Sequence, residues 1–97
     1  MFLYNVSIIM EDTAHDSLLS WIKGHIQRHE AHDIKLLKML DTPHEGQTYC
    51  LQVLVSNQDE IVKFQQEVLQ EIQTLLGAEY AEKAFIFDST MQYIDQV

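Results

Sequence analysis

Ile34-Lys35-Leu36-Leu37-Lys38-Met39-Leu40-Asp41-Thr42-Pro43-His44-Glu45-Gly46-Gln47-Thr48-Tyr49-Cys50-Leu51-Gln52-Val53-Leu54-Val55 is the stretch whose reading decides the fold. By composition its first eight residues suit a helix or a strand. The segment Thr42-Pro43-His44-Glu45-Gly46 decides between them, because a Pro/Gly turn of this length between two apolar runs is a hairpin signal. The two runs are therefore adjacent strands. In the first, Leu37 and Met39 alternate against Leu36, Lys38 and Leu40. In the second, over residues 47–55, Tyr49, Leu51, Val53 and Val55 share one face, and Cys50, Gln52 and Leu54 share the other.

Upstream of the hairpin, residues 3–10 are β-branched and aromatic with near alternation. They read as a strand with Tyr4, Val6, Ile8 and Met10 on one side and Asn5 and Ser7 on the other. Asp12 and Thr13 follow as candidate N-caps. Ala14, Leu18, Ile22 and Ile26 then recur every fourth residue, which predicts an amphipathic helix over residues 13–29. Downstream, Ser56 or Asn57 caps a second helix, with Asp59 and Glu60 in its first turn, where the helix dipole favours negative charge. Its stripe is Ile61, Phe64, Val68, Ile72 and Leu75, and Gly77 ends the regular stretch, with a further turn open as far as Tyr80. Residues 83–95 form a last strand, with Phe85, Phe87, Met91 and Tyr93 on one side and Ile86, Asp88, Thr90, Gln92 and Ile94 on the other. Its length predicts a bend near Ser89. The element order is βαββαβ, the ferredoxin-like plan of the α+β class. It gives a four-stranded antiparallel sheet with two helices on one face, in a single domain over residues 1–97.

Composition narrows the function classes. Fifteen acidic residues against six basic ones give a formal charge of −9. That field repels a nucleic-acid duplex or an anionic membrane, since such binding rests on Lys and Arg neutralising phosphates. No nucleic-acid and no membrane partner is expected, and the charge serves solubility. Hydrophobic residues make up 46% of the chain, enough for a folded core and unlike a disordered segment. The start, Met1-Phe2-Leu3-Tyr4-Asn5, has no basic region of the signal-peptide kind. The one cysteine, Cys50, excludes an internal disulfide and fits a reducing cytoplasm.

The sheet face away from the helices needs a cover. On this reading it carries Asn5, Ser7, Ile9, Leu36, Lys38, Leu40, Cys50, Gln52, Leu54, Ile86, Asp88, Thr90, Gln92 and Ile94. That mixture is too apolar for water and too polar for a core. Exposed apolar patches of this size mark interfaces. Two sheets are expected to meet in a symmetric homodimer through Leu36, Leu40, Leu54, Ile86 and Ile94.

Candidate chemistry is sparse. Trp21 and His25 are one helical turn apart and, with Asn5, line a candidate pocket. His25, His29 and His32 follow i, i+4, i+7 spacing on one side of a helix. Three imidazoles so placed are the metal candidates, although the spacing matches no named zinc motif. Histidines near a helix C-terminus also suit the dipole without a metal. The expectation is no metal and no cofactor. Cys50 has no cationic neighbour to lower its pKa and reads as a structural thiol. Asp88, placed on the interface face, needs a partner such as Lys38 or a raised pKa. No Gly-rich phosphate loop, CxxC or Ser-His-Asp arrangement is present.

Several short motifs recur in order: Tyr4-Asn5-Val6-Ser7, Trp21 with His25-Ile26, Leu36-Leu37-Lys38-Met39-Leu40, and Gly46-Gln47-Thr48-Tyr49. Together they resemble a bacterial domain-of-unknown-function family of about a hundred residues. Its members start Tyr-Asn-Val and carry Trp followed by His-Ile-Pro on the first helix. This chain has Gln27 where the family has Pro. The family is similar in fold to the dimeric α/β barrels, a group that includes cofactor-free monooxygenases, haem-degrading enzymes and small stress-response proteins. The resemblance implies the fold and the dimer, and no particular activity. The leading reading is an acidic cytoplasmic homodimer that binds a small molecule or a protein partner. The alternatives are a cofactor-free monooxygenase-like or haem-degrading-like enzyme using Asn5, Trp21 and His25, and a His-cluster metal-binding protein. Whether the chain is an enzyme is left open.

Overall fold

Alternation along the first strand sets the layers. In β1 (Phe2–Met10) the even residues Tyr4, Val6, Ile8 and Met10 are buried, and the odd ones are only half-buried. A strand sends successive side chains to opposite faces, so one face is packed and the other is open. The computed structural model describes residues 1–95. Gln96 and Val97, part of the expected 1–97 domain, lie outside the described residues.

The remaining elements are α1 (Asp12–Arg28), a 3₁₀ turn (Glu30–His32), β2 (Lys35–Lys38), β3 (Gln47–Val55), α2 (Gln58–Phe64), a π-turn (Gln65–Leu69), α3 (Gln70–Glu79) and β4 (Ala84–Gln92). The strands pair antiparallel in the order β2-β3-β1-β4, so the ferredoxin-like expectation holds. Between the sheet and the helices lies one core, containing Tyr4, Val6, Ile8, Leu18, Ile22, Leu51, Phe64 and Ile72. No helix among the described residues is long and apolar enough to cross a membrane.

Local chemistry fixes the element ends. Glu11 N–H donates to Lys83 O at 2.8 Å, tying the chain to the start of β4, and α1 begins at the next residue rather than at Thr13. For α2 the cap is Asn57, whose Oδ1 accepts from Glu60 N–H at 3.0 Å, while Ser56 N–H donates to Glu60 Oε2 at 2.7 Å. This reciprocal arrangement satisfies two otherwise orphaned donors. Gly46, with φ of +87°, closes the turn into β3. A Cβ there would stand 2.5 Å from Met10 O, so only glycine fits. The helix runs past Gly77 to Glu79, within the further turn expected through Tyr80.

Two strands present the opposite faces from those expected. Leu36 pairs with Leu51 and packs on the core, while Leu37 pairs with Cys50 and is exposed. Both alternations of β2 begin with a leucine, so pattern alone cannot choose between them. Ile86 likewise pairs with Ile8 on the helix side, and Phe85, Phe87 and Met91 stand on the open side. Ala84 pairs with the buried Met10 and is itself buried, in phase with Ile86. β4 pairs with β1 continuously from Ala84 to Gln92, with Ser89 opposite Asn5.

Candidate functional site

Helical geometry brings the first cluster together. At 3.6 residues per turn, a stripe through Ala14, Leu18 and Ile22 next reaches residue 25 rather than 26. Accordingly His25 is fully buried at 0% exposure, and Ile26 is half-buried. The Trp21 ring stacks on His25 with centroids 4.7 Å apart, and the Arg28 guanidinium lies 6.0 Å from the Trp21 centroid. His29 meets His25 edge-on at 4.6 Å. Because α1 stops at Arg28, His32 sits in the 3₁₀ turn and departs from the helical face. It turns instead toward Phe64, at 5.5 Å between centroids, and Glu67, at 3.7 Å.

The second helical stretch supplies the partners. Its π-turn, in which Gln70 N–H reaches Gln65 O, contains Val68. The Val68 carbonyl lies 2.9 Å from His25 Nε2. A carbonyl only accepts, so Nε2 carries the proton, and the neutral ring keeps its lone pair on Nδ1. Glu71 Oε2 stands 3.5 Å from that Nδ1, which itself makes no hydrogen bond among the described residues. Burial pushes the His25 pKa below its ordinary value. His29 and Arg28 push the same way, and the Val68 carbonyl and Glu71 oppose them. One ligand atom from each of His25, His29 and Glu71 lies within 4.8 Å of the others. Two of the three metal candidates thus converge. Glu71 takes the third place, and no sequence pattern links it to α1.

Asn5 is not part of this cluster. It sits on the open face, with Gln52 Nε2 donating to its Oδ1 at 3.1 Å and its own Nδ2 donating to Ser7 Oγ at 3.0 Å. Ser7 Oγ lies 3.5 Å from Cys50 Sγ. The sheet separates Asn5 from Trp21 and His25, so the three do not line one pocket. The space between sheet and helices is filled by core side chains, Tyr4, Leu18, Ile22 and Phe64 among them. Of the interface candidates, Leu54 is on the open face and 56% exposed. Leu40 and Ile94 are exposed beyond the ends of β2 and β4. Leu36 and Ile86 face the helices, which corrects their expected position.

Three features have no local signal in the sequence. Tyr4 O–H donates to Asp88 Oδ2 at 2.5 Å and accepts from Gln65 Nε2 at 3.1 Å. Burial, followed by the Asp88 carboxylate, pushes the Tyr4 pKa up to about 12. Asp88 therefore pairs with Tyr4 on the helix side, and not with Lys38, which stands beside Tyr49 on the opposite edge strand. His15 joins Asp16, 2.8 Å from its Nδ1, to Tyr49 O–H, 2.8 Å from its Nε2. Last, a cleft of about 510 Å³ opens where the end of β1 meets the start of β4. Its lining includes Ile9, Phe85 and Phe87 together with Asp12, His44 and Glu45.

Residues 1–94 match the family described as Domain of unknown function (DUF4286), and the chain belongs to that family. The resemblance read from the Tyr4-Asn5-Val6 start and the Trp21/His25 pair is borne out. None of the curated proteins matches the chain. Among solved structures it is similar to Rv0793 from Mycobacterium tuberculosis, with a TM-score of 0.71 at 12% identity over 99% of this chain and 98% of that one. A proposed antibiotic biosynthesis monooxygenase from Deinococcus radiodurans gives a TM-score of 0.73 at 10% identity, over 100% and 96% of the two chains. A further antibiotic biosynthesis monooxygenase gives 0.68 at 10% identity, over 98% and 100%. At these identities the likeness shows the fold alone.

Proposed function

We propose that this member of a family without an assigned function is a homodimeric binding protein whose two sheets meet face to face, with a small-molecule cleft at their rim. The exposed apolar row on the open face carries this reading. Phe85 is 52% exposed and Phe87 59%, with Leu37, Leu54 and Met91 also exposed across the same face. A stable single chain rarely leaves so many large apolar side chains in water on one surface. The polar groups in the middle of that face, Asn5, Ser7, Cys50 and Gln52, bond to one another. Covering them therefore leaves few unpaired donors or acceptors. The cleft beside Phe85 and Phe87 is within the volume range of ligand sites and combines apolar walls with a few polar groups. A cytoplasmic setting suits the single free thiol of Cys50.

The monooxygenase-like or haem-degrading-like alternative draws on fold likeness. It needs a pocket shared by Asn5, Trp21 and His25, and the sheet lies between them.

Native mass spectrometry of untagged protein tests the proposal, since one spectrum reads subunit count and any retained ligand. Wild type is expected as a dimer, with Phe87→Asp and Leu54→Glu as folded monomers. A monomeric wild type, or dimers that survive both substitutions, would sink it.

A further inference from the structure

We infer that His25 Nδ1, His29 and Glu71 form a binding site for a divalent transition-metal ion of the zinc class. The site lies in the helix layer, and the inference stands independently of the dimer.

Donor orientation comes first. The Val68 carbonyl, 2.9 Å from Nε2, fixes the His25 proton on that nitrogen. Metal-binding histidines are commonly oriented this way, one ring nitrogen donating to a carbonyl while the other faces the ion. Here the free nitrogen is Nδ1, fully buried and without a hydrogen bond. At 3.5 Å from it stands a carboxylate oxygen of Glu71. An imidazole lone pair and a carboxylate lone pair that face each other repel unless positive charge lies between them.

Distances fit an ion in that place. Bonds of about 2.0–2.2 Å to nitrogen and oxygen in a tetrahedral site put neighbouring ligand atoms roughly 3.3 Å apart. The separation between Nδ1 and Oε2 is close to that already. His29, half-buried at the C-terminal end of α1, completes a triangle whose longest side is within 4.8 Å. Two imidazoles and one carboxylate suit zinc, cobalt or nickel, and not calcium or magnesium, which prefer all-oxygen ligands. Three protein ligands leave a fourth position for water or a small anion. Glu71 is exposed and also lines the surface groove formed with Trp21, Gln70 and Thr74. His32 has no part in the site, being engaged with Glu67 and Phe64.

The test uses untagged full-length protein, stripped with chelator and titrated with zinc chloride alone against a competing chromophoric chelator. Cobalt replaces zinc in a parallel absorption experiment. One zinc per chain is expected, with cobalt giving the visible absorption of a four-coordinate ion. His29→Gln and Glu71→Gln alter exposed or half-exposed groups, so both variants should stay folded, and each should weaken zinc binding tenfold or more. His25→Gln, checked for folding by circular dichroism, should abolish it. No stoichiometric zinc binding by wild type would overturn the inference, and would mean that a proton alone relieves the His25–Glu71 contact. Zinc affinity unchanged in both His29→Gln and Glu71→Gln would also overturn it, by locating the ion at other histidines.

Discussion

Tyr4 shows how a single residue serves two environments. Its ring is core, edge-on to Phe64 at 5.7 Å, and its hydroxyl lies between Asp88 and Gln65 at the margin of the helix layer. The neutral phenol is the form this setting favours, and the pKa of about 12 expresses that. Unfolded tyrosine titrates near 10. Between those two values the unfolded chain has released a proton that the folded chain keeps, so stability falls as pH rises. The Tyr4 contribution is therefore complete below about pH 10 and is lost progressively toward about pH 12. Tyr4→Phe should cost roughly 1 kcal/mol at neutral pH, the usual worth of a hydrogen bond. Urea denaturation of both proteins from neutral to strongly alkaline pH checks this. The difference between wild type and Tyr4→Phe should shrink above about pH 10, and a constant difference would contradict the assignment.

Elements were legible in proportion to how local their causes are. The hairpin turn at Pro43 and Gly46, the Asn57 cap and the alternation of β1 are written in neighbouring residues, and the structure follows them. The helix stripes were harder. Drawing α1 at strict four-residue steps misplaces its last buried position by one, which conceals His25 behind Ile26. In the second helical stretch the π-turn takes up an extra residue, and Leu76 rather than Leu75 occupies the last buried place. A wide turn of this kind depends on packing and leaves no composition signal. Glu71 and Asp88 find their partners only through the tertiary fold, so one of the three members of the candidate metal cluster and the whole Tyr4 network were invisible in the sequence. Gly77 offers a check on the helix itself. It is exposed within α3, and a Cβ there would meet nothing within 4 Å. Gly77→Ala should therefore stabilise the protein by about 0.5–1 kcal/mol, read as a raised denaturation midpoint.

Across the whole molecule, the faces of β2 and β4 decided more than the element order did. Both strands carry apolar residues on both alternations, and β4 is an edge strand whose helix side is only partly covered. An acidic residue, Asp88, can consequently face the helices there, while Phe85 and Phe87 face outward. The reversal makes the open side more apolar than the sequence reading has it, and that strengthens the case for a second copy of the chain as its cover. Association linked to folding makes thermal stability depend on concentration. The wild-type melting temperature should rise on concentrating the protein, whereas that of Phe87→Asp should not. A concentration-independent wild-type transition would contradict the dimer.

The stack of Trp21 on His25 has a practical consequence. Trp21 is the chain's single tryptophan, and it belongs to the layer opposite the exposed phenylalanines. Its fluorescence is thus a built-in optical reporter for the imidazole it touches. Emission should respond to events at His25 and stay unchanged when two sheets come together, so light from one ring can tell the two surfaces of the molecule apart.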